Sequence, residues 1–494
     1  MLPTSPLFPA FRLRAASLAL SAVVLTGCMS LAPAPDTPPL PVPEAWPAHL
    51  GSGTDGAHAG ELAWQAYFTD PLLQRLIETA LENNRDLRVA ALNVERARAY
   101  YGISRAELYP AVHAAGSGSK ARVPADLSPS GRRQTVERYE ANLGVAAWEI
   151  DFFGRIRSFK DRALEEYLAT EQARRSAQIL LISAVAKTCL ALAADREALA
   201  LAQTTLQTQQ AAYDLVQRRY QLGLTTELDL FRAQTPLEAA RRDVALYTQQ
   251  AAKGENALAL LTGAPVESDL LPAGLDDLLP PEEISAGLSS QVLLLRPDIL
   301  QAEHLLRAAH ADIGAARAAF FPRISLTAAI GTASRDLSGL FQAGSGTWSY
   351  APQIVMPIFD ARTWAAARAA KVQREIAVTQ YERAIQNAFR EVADALAVRG
   401  TVDQQITAQQ ALVHASAETY RLAHSRYEKG LDSYLGVLDA QRSLFAAQQA
   451  LVSLRLAKLT SQVQLYTVLG GGWQTQELAG APPLSDPVRE PKGN

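Results

Sequence analysis

Two tandem copies of one long unit make up most of this 494-residue chain, and this duplication limits the possible folds more than any other feature. The copies span residues 85–263 and 296–470. Self-similarity over such a length indicates two equivalent structural units related by pseudo-symmetry. Matched positions lie 212 residues apart early in the copies and 206–207 apart later: Asp86 and Asp298, Gly102 and Gly314, Ala106 and Ala318, Pro110 and Pro322, Phe153 and Phe359, Tyr220 and Tyr427, Gly223 and Gly430, Leu228 and Leu435, Gln234 and Gln441, Gly263 and Gly470.

Each copy begins with a segment that a proline ends. Residues 86–109 precede Pro110, and residues 298–321 precede Pro322. Proline has no N–H to donate and disfavours helical geometry in the residue before it. The pattern therefore predicts a helix over each range, followed by a different kind of structure.

Alternating side chains after each proline predict two β-strands per copy. In the second copy, Ile324, Leu326, Ala328 and Ile330 are separated by small or polar residues, which gives one apolar and one polar face. In the first copy, Leu143, Val145 and Ala147 would share a face. Each segment is close to the roughly 9–11 residues that a tilted membrane strand needs, although a soluble hairpin gives the same pattern. The predicted strands cover about 111–120, 138–150, 323–333 and 346–358.

Unusually long helical hairpins are predicted after the strands. Neither Gly nor Pro occurs between Gly154 and Gly223, and the second copy has only Gly400 between residues 361 and 429. These segments are rich in good helix formers. At 1.5 Å per residue, each helix would be roughly 100 Å long. The predicted hairpins cover 154–262 and 360–469.

A glycine marks the turn of each hairpin. Gly223 and Gly430 can supply the left-handed conformation that commonly ends a helix. Short polar side chains follow, and such side chains accept hydrogen bonds from the first N–H groups of a helix. The candidates for capping the returning helices are Thr225, Thr226, Asp432 and Ser433.

Shorter segments flank the two copies. Residues 61–84 predict an amphipathic helix with a start signal at Asp70-Pro71, residues 264–295 form a proline-containing linker, and residues 471–494 form a proline-rich tail.

The first 27 residues predict a secretory signal peptide. A basic start is followed by an apolar run at 15–24, which is too short to span a bilayer as an anchor. The run ends in Leu25-Thr26-Gly27-Cys28, which resembles a bacterial lipobox. In a lipobox the peptide is cut before the cysteine and the thiol is acylated. The resemblance implies covalent diacylglycerol and palmitate on Cys28, and the alternative is an ordinary signal peptide with a chance cysteine. Residues 28–60 would then be a lipidated, proline-rich tether that is extended rather than folded.

Composition argues against several classes of function. Lys plus Arg is 47 and Asp plus Glu is 50, without a basic stripe, so we expect no nucleic-acid partner. The two cysteines, Cys28 and Cys189, cannot build a disulfide framework or a metal cluster. The histidines are scattered, and we find no nucleophile, phosphate-loop or metal motif. The sequence therefore predicts no catalytic residue, no metal and no cofactor other than the lipid.

The four predicted strands favour a barrel shared between several chains. Apart from the N-terminus, no stretch has eighteen or more apolar residues, so a membrane crossing would need β-strands in a closed barrel. Four strands cannot close a barrel. Two chains would supply eight strands around a filled interior, whereas three would supply twelve around a lumen. The expected fold is a mixed α and β membrane protein, with a barrel that continues into a helical tube.

Several motifs of the sequence match those of one known family. They are residues 427–435, 438–444, 465–466 and 469–473, with Trp148, 151–155 and 357–360 at the strand-to-helix junctions. These motifs resemble the lipoprotein branch of the TolC-like outer membrane factors, which includes the outer channels of RND-type efflux pumps. The resemblance implies a homotrimer with a twelve-stranded barrel in outer-membrane lipid, a twelve-helix periplasmic barrel, and an equatorial belt containing 61–84 and 264–295. It also implies a passive gated conduit for drugs or other small toxic compounds, docked to a periplasmic adaptor and an inner-membrane pump.

The resemblance also places working residues at the hairpin turns. Leu435 and Asp439 match positions that narrow the closed pore, where a leucine ring would exclude water and an aspartate ring would favour cations. Ordinary helix packing for Leu435 and a solvated position for Asp439 are the alternatives. The residues implied in adaptor docking are Leu222, Gly223, Leu224, Lys429, Gly430 and Leu431.

The repeat adds one hypothesis about the gate. Arg232 occupies the position that matches Asp439, so we predict that Arg232 pairs with Asp439 or Asp229 and helps to hold the tip closed, with Asp432 nearby. A partly solvated pair of this kind contributes less than about 1 kcal/mol. A solvated charge on a helix surface is the alternative.

Two further functional readings remain open at this point. The same conduit could serve metal-ion efflux or type I protein secretion, because the inner-membrane partner selects the cargo. A poreless periplasmic rod would also use long helices, but it would not need strand pairs at matching places in both copies.

Overall fold

The computed structural model describes residues 31–34, 38–46, 62–284 and 290–472. The predicted signal peptide, Cys28 and nearly all of the C-terminal tail lie outside the described residues. Within them, the order helix, strand, strand, long helix, returning helix occurs twice. The first set is α3 (Arg85–Ala106), β1 (Val112–Val123), β2 (Gln134–Ile150), α4 (Arg155–Gln221) and α5 (Glu227–Thr262), and the second is α6 (Pro297–Ala318), β3 (Arg323–Ser334), β4 (Gly346–Val355), α7 (Ala361–Glu428) and α8 (Tyr434–Val468).

Two helices replace the single one predicted over residues 61–84. They are α1 (Trp64–Tyr67) and α2 (Pro71–Asn83). The break arises because Asp70 caps α2, accepting a hydrogen bond from the Leu73 backbone N–H at 2.9 Å, while Pro71 takes the first helical position. Short 3₁₀ helices lie in the linker and in the β3–β4 connection, at Ser268–Leu270, Leu275–Asp277, Ser290–Leu295 and Leu337–Gly339.

The helices α3 and α6 end before the positions predicted from the prolines. They were expected to reach residues 109 and 321, but they end at Ala106 and Ala318. The last residues before each proline form a turn instead, because the residue before proline is disfavoured in helical geometry.

The four strands form one antiparallel sheet in the order β1-β2-β3-β4. Cross-strand neighbours share a face, so the register sorts the side chains into two sets. One face is small or polar, with Asn142, Ser325, Thr327, Thr347, Ser349 and Gln353. The other is apolar, with Leu143, Val145, Trp148, Ile150, Ile324, Leu326, Ile330, Trp348, Tyr350 and Ile354.

The apolar face of the sheet is largely uncovered within the single chain. Trp348 is 81% exposed and Ile330 is 67% exposed. Exposed apolar surface of this extent marks a face that contacts lipid or another protein.

A β-bulge interrupts β2, and the simple alternation predicted there was wrong at Ala147. Between Val145 and Trp148 the strand has one residue more than its partner β3. Ala147 has a positive φ of 50°, and its backbone N–H donates to Thr327 Oγ1 at 3.0 Å. The extra residue keeps Trp148 on the same face as Val145, although an odd number of residue steps separates them.

Strand lengths also differ from the sequence-based boundaries. Strand β1 continues to Val123 and β2 begins at Gln134, because the ladder extends through their exposed charged residues. Strand β4 ends at Val355 rather than 358. Its last pair is with Arg323, and the preceding Pro322 has no N–H to extend the ladder.

The long helices dominate the chain. Helix α4 has 67 residues and α7 has 68, which corresponds to roughly 100 Å each. Helix α7 is continuous through Gly400, and α5 is continuous through Pro236. Among the described residues, α4 alone contains a window long and apolar enough to cross a membrane, with a mean hydropathy of 1.8, and 61% of that window is buried inside the molecule. A buried core helix has these same properties.

The chain divides into two compact units. The first holds the sheet and residues 93–170 and 301–381, and Phe153 stacks on Phe321 there with ring centroids 4.8 Å apart. The second holds residues 40–92, 171–300 and 382 onwards. In its core the rings of Tyr67 and Tyr466 stack at 4.0 Å, and Cys189 is buried.

The predicted proline-rich tether contacts the rest of the chain in both stretches that the structure describes. In the first unit, Arg317 Nη1 donates to the Leu31 carbonyl at 3.0 Å. In the second unit, Ser290 Oγ donates to the Pro43 carbonyl at 2.8 Å, and Trp46 stacks on Phe389 at 4.7 Å. Specific contacts therefore hold this segment in place.

Candidate functional site

The two hairpin turns have the same backbone geometry. Gly223 and Gly430 both have a φ of +72°, the left-handed conformation that L-residues rarely adopt. Leu224 N–H donates to the Arg219 carbonyl at 2.8 Å, and Leu431 N–H donates to the Arg426 carbonyl at 2.9 Å. Each glycine N–H also donates to the carbonyl three residues earlier at 2.9 Å. Both long helices thus end in a Schellman motif.

The turns present leucines to the solvent. Leu222 is 73% exposed, Leu224 is 70% exposed and Leu431 is 64% exposed, and the exposed Lys429 stands beside Gly430. Because these apolar side chains lie at the two turns and are largely exposed, they are suited to contact with another protein. The structure therefore places all six predicted docking residues at the tips.

The first returning helix has a complete N-terminal cap. The Asp229 N–H donates to Thr226 Oγ1 at 3.2 Å, while Thr226 Oγ1 donates to the Asp229 carboxylate at 2.7 Å. Thr225 Oγ1 adds a hydrogen bond to the same carboxylate at 3.0 Å. The hydrogen bonds from Thr226 and Thr225 lower the pKa of Asp229. Asp229, predicted as a gate residue, thus works within its own hairpin as part of a capping box.

The second returning helix lacks an equivalent cap. Ser433 occupies the cap position of α8 but makes no side-chain capping bond. Asp432 is instead paired with Arg426, whose Nη2 lies 3.2 Å from Asp432 Oδ1. Hydrogen bonding to Arg426 lowers the pKa of Asp432. The two matched turns therefore differ in how firmly the following helix begins.

The predicted pair between Arg232 and Asp439 is not formed. Arg232 instead forms an ion pair with Asp229, the other partner predicted for it, with Nη1 3.7 Å from Oδ1. Both residues lie on α5, so this pair does not connect the two hairpins. Asp439 accepts a hydrogen bond from Arg442 Nη2 at 2.7 Å, because Arg442 lies one helical turn along α8 and reaches the carboxylate locally. Arg232, Leu435 and Asp439 nevertheless line one cavity of about 560 Å³.

A contact between the hairpins was missed from the sequence. Arg219 Nη1 on α4 donates to Tyr427 Oη on α7 at 2.8 Å, and its guanidinium lies 5.9 Å from the centre of the Tyr427 ring. Tyr427 also packs against Tyr434, whose pKa burial raises to about 12. The repeat aligns Tyr427 with Tyr220, but only the packing of the hairpins brings Arg219 to it.

The polar groups of the tips include charged pairs at the surface. Among residues 31–34, 38–46, 62–284 and 290–472, no group of three or more His, Cys, Asp or Glu side chains could hold a metal ion. The charged pairs at the tips are exposed, so each contributes little to stability and can be broken at low cost.

The chain matches the family described as "Outer membrane efflux protein" over residues 76–264 and 288–471. It is 48% identical over 483 residues to the toluene efflux pump outer membrane protein TtgC of Pseudomonas putida, covering 97% of this chain and 99% of that protein. It is 41% identical to the outer membrane protein OprJ of Pseudomonas aeruginosa, covering 94% and 96% of the two chains.

The fold is also similar to a solved channel. The open-state structure of the MtrE outer membrane channel of Neisseria gonorrhoeae aligns with a TM-score of 0.81 and 39% identity. The alignment covers 90% of this chain and 99% of that one. Similarity therefore extends over the sheet and both helical hairpins.

Proposed function

The chain belongs to the outer membrane efflux protein family, and from this membership we propose that it forms the outer-membrane channel of a tripartite efflux system. One observation carries the proposal: the match to an efflux pump outer membrane protein covers 97% of this chain and 99% of that protein. The sheet fits this location, since one face is apolar and exposed while the other is small or polar.

We propose that the channel serves export of drugs, solvents or other small toxic compounds through a periplasmic adaptor and an inner-membrane RND-type pump. The support is that relatives in the same identity range are named for toluene, antibiotic and solvent efflux. The exposed leucines Leu222, Leu224 and Leu431 are suited to the adaptor contact.

A homotrimer is the assembly that fits a conduit best. Strands β1 and β4 are the two edges of the four-stranded sheet, and unpaired edges are not tolerated in lipid. Three copies would join edge to edge into twelve strands with a lumen, whereas two would leave the interior filled. A poreless rod would leave the two-faced sheet without a role.

We further propose that Cys28 carries the lipid anchor and that Leu435 and Asp439 narrow the pore at the periplasmic end. Leu435 is 54% exposed in the single chain, and the Asp439 side chain is 65% exposed. Both side chains are therefore free to face a lumen formed with two further copies.

Single-channel recording in planar bilayers tests this function directly. We expect small, flickering currents from the native protein. In Asp439→Ala we expect larger currents with weaker cation preference, because a ring of carboxylates is removed. The matched control is Asp394→Ala, which removes an exposed carboxylate paired with Arg390 on α7. Inserted protein that never conducts would contradict the channel, and equal effects of both variants would contradict the assignment of Asp439.

A further inference from the structure

A cavity of about 560 Å³ lies between the first helical hairpin and α8. Its apolar lining comes from Pro236 on α5 and from Leu435, Leu438 and Phe445 on α8. Cavities of roughly 300–1,000 Å³ with apolar walls and a few placed polar groups are the usual form of small-molecule sites.

A buried amide in this cavity lacks a hydrogen-bond partner. Gln209 on α4 lines the cavity and is only 5% exposed. Its Oε1 atom is buried and accepts no hydrogen bond from the described residues. Buried polar groups are nearly always paired, because an unpaired one loses its hydration without compensation. The Gln209 oxygen is therefore available to accept a hydrogen bond from a ligand.

The charged lining of the cavity has three arginines and two aspartates. Arg442 donates to Asp439 at 2.7 Å, and Arg242 donates to Asp243 at 2.7 Å. The third arginine, Arg232, forms an ion pair with Asp229 at 3.7 Å, a separation too long for a hydrogen bond. The N–H groups of Arg232 therefore remain able to donate to an anion.

We propose that this cavity binds a drug-sized amphipathic anion that also carries an N–H or O–H donor. The apolar body lies against Leu435, Leu438 and Phe445, the donor bonds to Gln209 Oε1, and the anionic group pairs with Arg232. Charge-assisted hydrogen bonds to a guanidinium are among the strongest polar contacts in proteins, so the anion would be the main source of affinity. The site does not depend on whether the chain conducts.

The test uses the full-length protein in lipid nanodiscs with 2-anilinonaphthalene-6-sulfonate, which has a sulfonate, an aromatic body and one N–H. Isothermal titration calorimetry should give one saturable site per chain. Gln209→Leu and Arg232→Ala should each weaken binding about tenfold. The matched controls are Gln207→Leu and Arg241→Ala, which remove an exposed amide and an exposed guanidinium outside the cavity. They should leave the affinity unchanged.

A second probe isolates the hydrogen bond to Gln209. In the 2-phenoxy analogue an ether oxygen replaces the N–H, so it should bind weakly and be insensitive to Gln209→Leu. Gln209→Leu should also unfold at the same or a higher temperature than the native protein, since it removes an unpaired buried group. Absence of saturable binding, equal affinity in cavity and control variants, or a bound water as the only occupant would overturn the proposal.

Discussion

Arg219 and Tyr427 connect the two hairpins through one hydrogen bond at the exposed tips. An exposed hydrogen bond to a guanidinium contributes little to stability, so this contact can be broken at low cost. Asp229 and Asp432, in contrast, stay within their own hairpins. At the tips, the contact between the hairpins therefore includes one weak polar bond.

We predict that Tyr427→Phe increases the open probability of the channel by up to about fivefold. The variant keeps the ring that packs on Tyr434 but removes the oxygen that accepts from Arg219, a loss of less than about 1 kcal/mol. Single-channel recording measures the open probability. The control, Tyr420→Phe, changes a tyrosine on the same helix that is not bonded to Arg219, and an equal effect there would refute the assignment.

We predict that the cap of α5 is lost in acid. Hydrogen bonds from Thr226 and Thr225 lower the pKa of Asp229, so its carboxylate stabilises the cap above the ordinary aspartate value of about 4. That contribution disappears as the pH falls through the lowered pKa. Hydrogen exchange of the first turn of α5, corrected for intrinsic rates, should accelerate below about pH 4. In Asp229→Asn this acceleration should be absent; if it persists, another group is responsible.

The kinds of element follow from local rules, whereas their exact limits depend on neighbours. At the element scale, Gly223 and Gly430 end the long helices through backbone geometry alone, and for that reason the turns were predictable. The bulge at Ala147 was not, because an inserted residue shows only when two strands are paired. The break before Pro71 and the contact between Arg219 and Tyr427 likewise depend on local capping and on tertiary packing.

We predict opposite effects from two glycine substitutions near the second turn. Neither Gly430 nor Gly436 has an atom within 4 Å of where a Cβ would lie, so conformation alone decides. Gly430→Ala forces a left-handed alanine and should destabilise the turn by about 1–2 kcal/mol. Gly436→Ala lies inside α8 and should stabilise that helix by up to about 1 kcal/mol. Hydrogen exchange across residues 425–440 compares them, and changes of the same sign would contradict this account.

The repeat predicts how separate chains meet in an oligomer. The contact between the first and second repeat inside one chain should recur between the second repeat of one chain and the first repeat of the next. Ile150 pairs with Ile324 where β2 meets β3. The matching positions are Met356, just after β4, and Val112, at the start of β1, and both are exposed in the single chain. In a ring of identical chains, Met356 of one chain should therefore lie beside Val112 of the next chain.

We predict that a chain carrying both Met356→Cys and Val112→Cys forms covalent trimers on oxidation. Non-reducing gel electrophoresis should give bands of one, two and three chains and none larger, because a closed ring has no free edge. Each single variant, as control, should remain a monomer on the gel. Absence of cross-links would refute this edge pairing, and a ladder beyond three chains would refute the trimer.

The bulge at Ala147 bears on whether the two halves of the chain are interchangeable. Ala147 in β2 has a positive φ, whereas no described residue of β4, the matching strand of the second copy, has one, so the two hairpins do not have the same backbone. A chimera with two copies of the second half would lack the inserted residue at this point. Beyond it, each side chain would be transposed between the apolar and the polar face of the sheet. Divergence of the halves after duplication is therefore recorded in the backbone of the sheet as well as in their side chains.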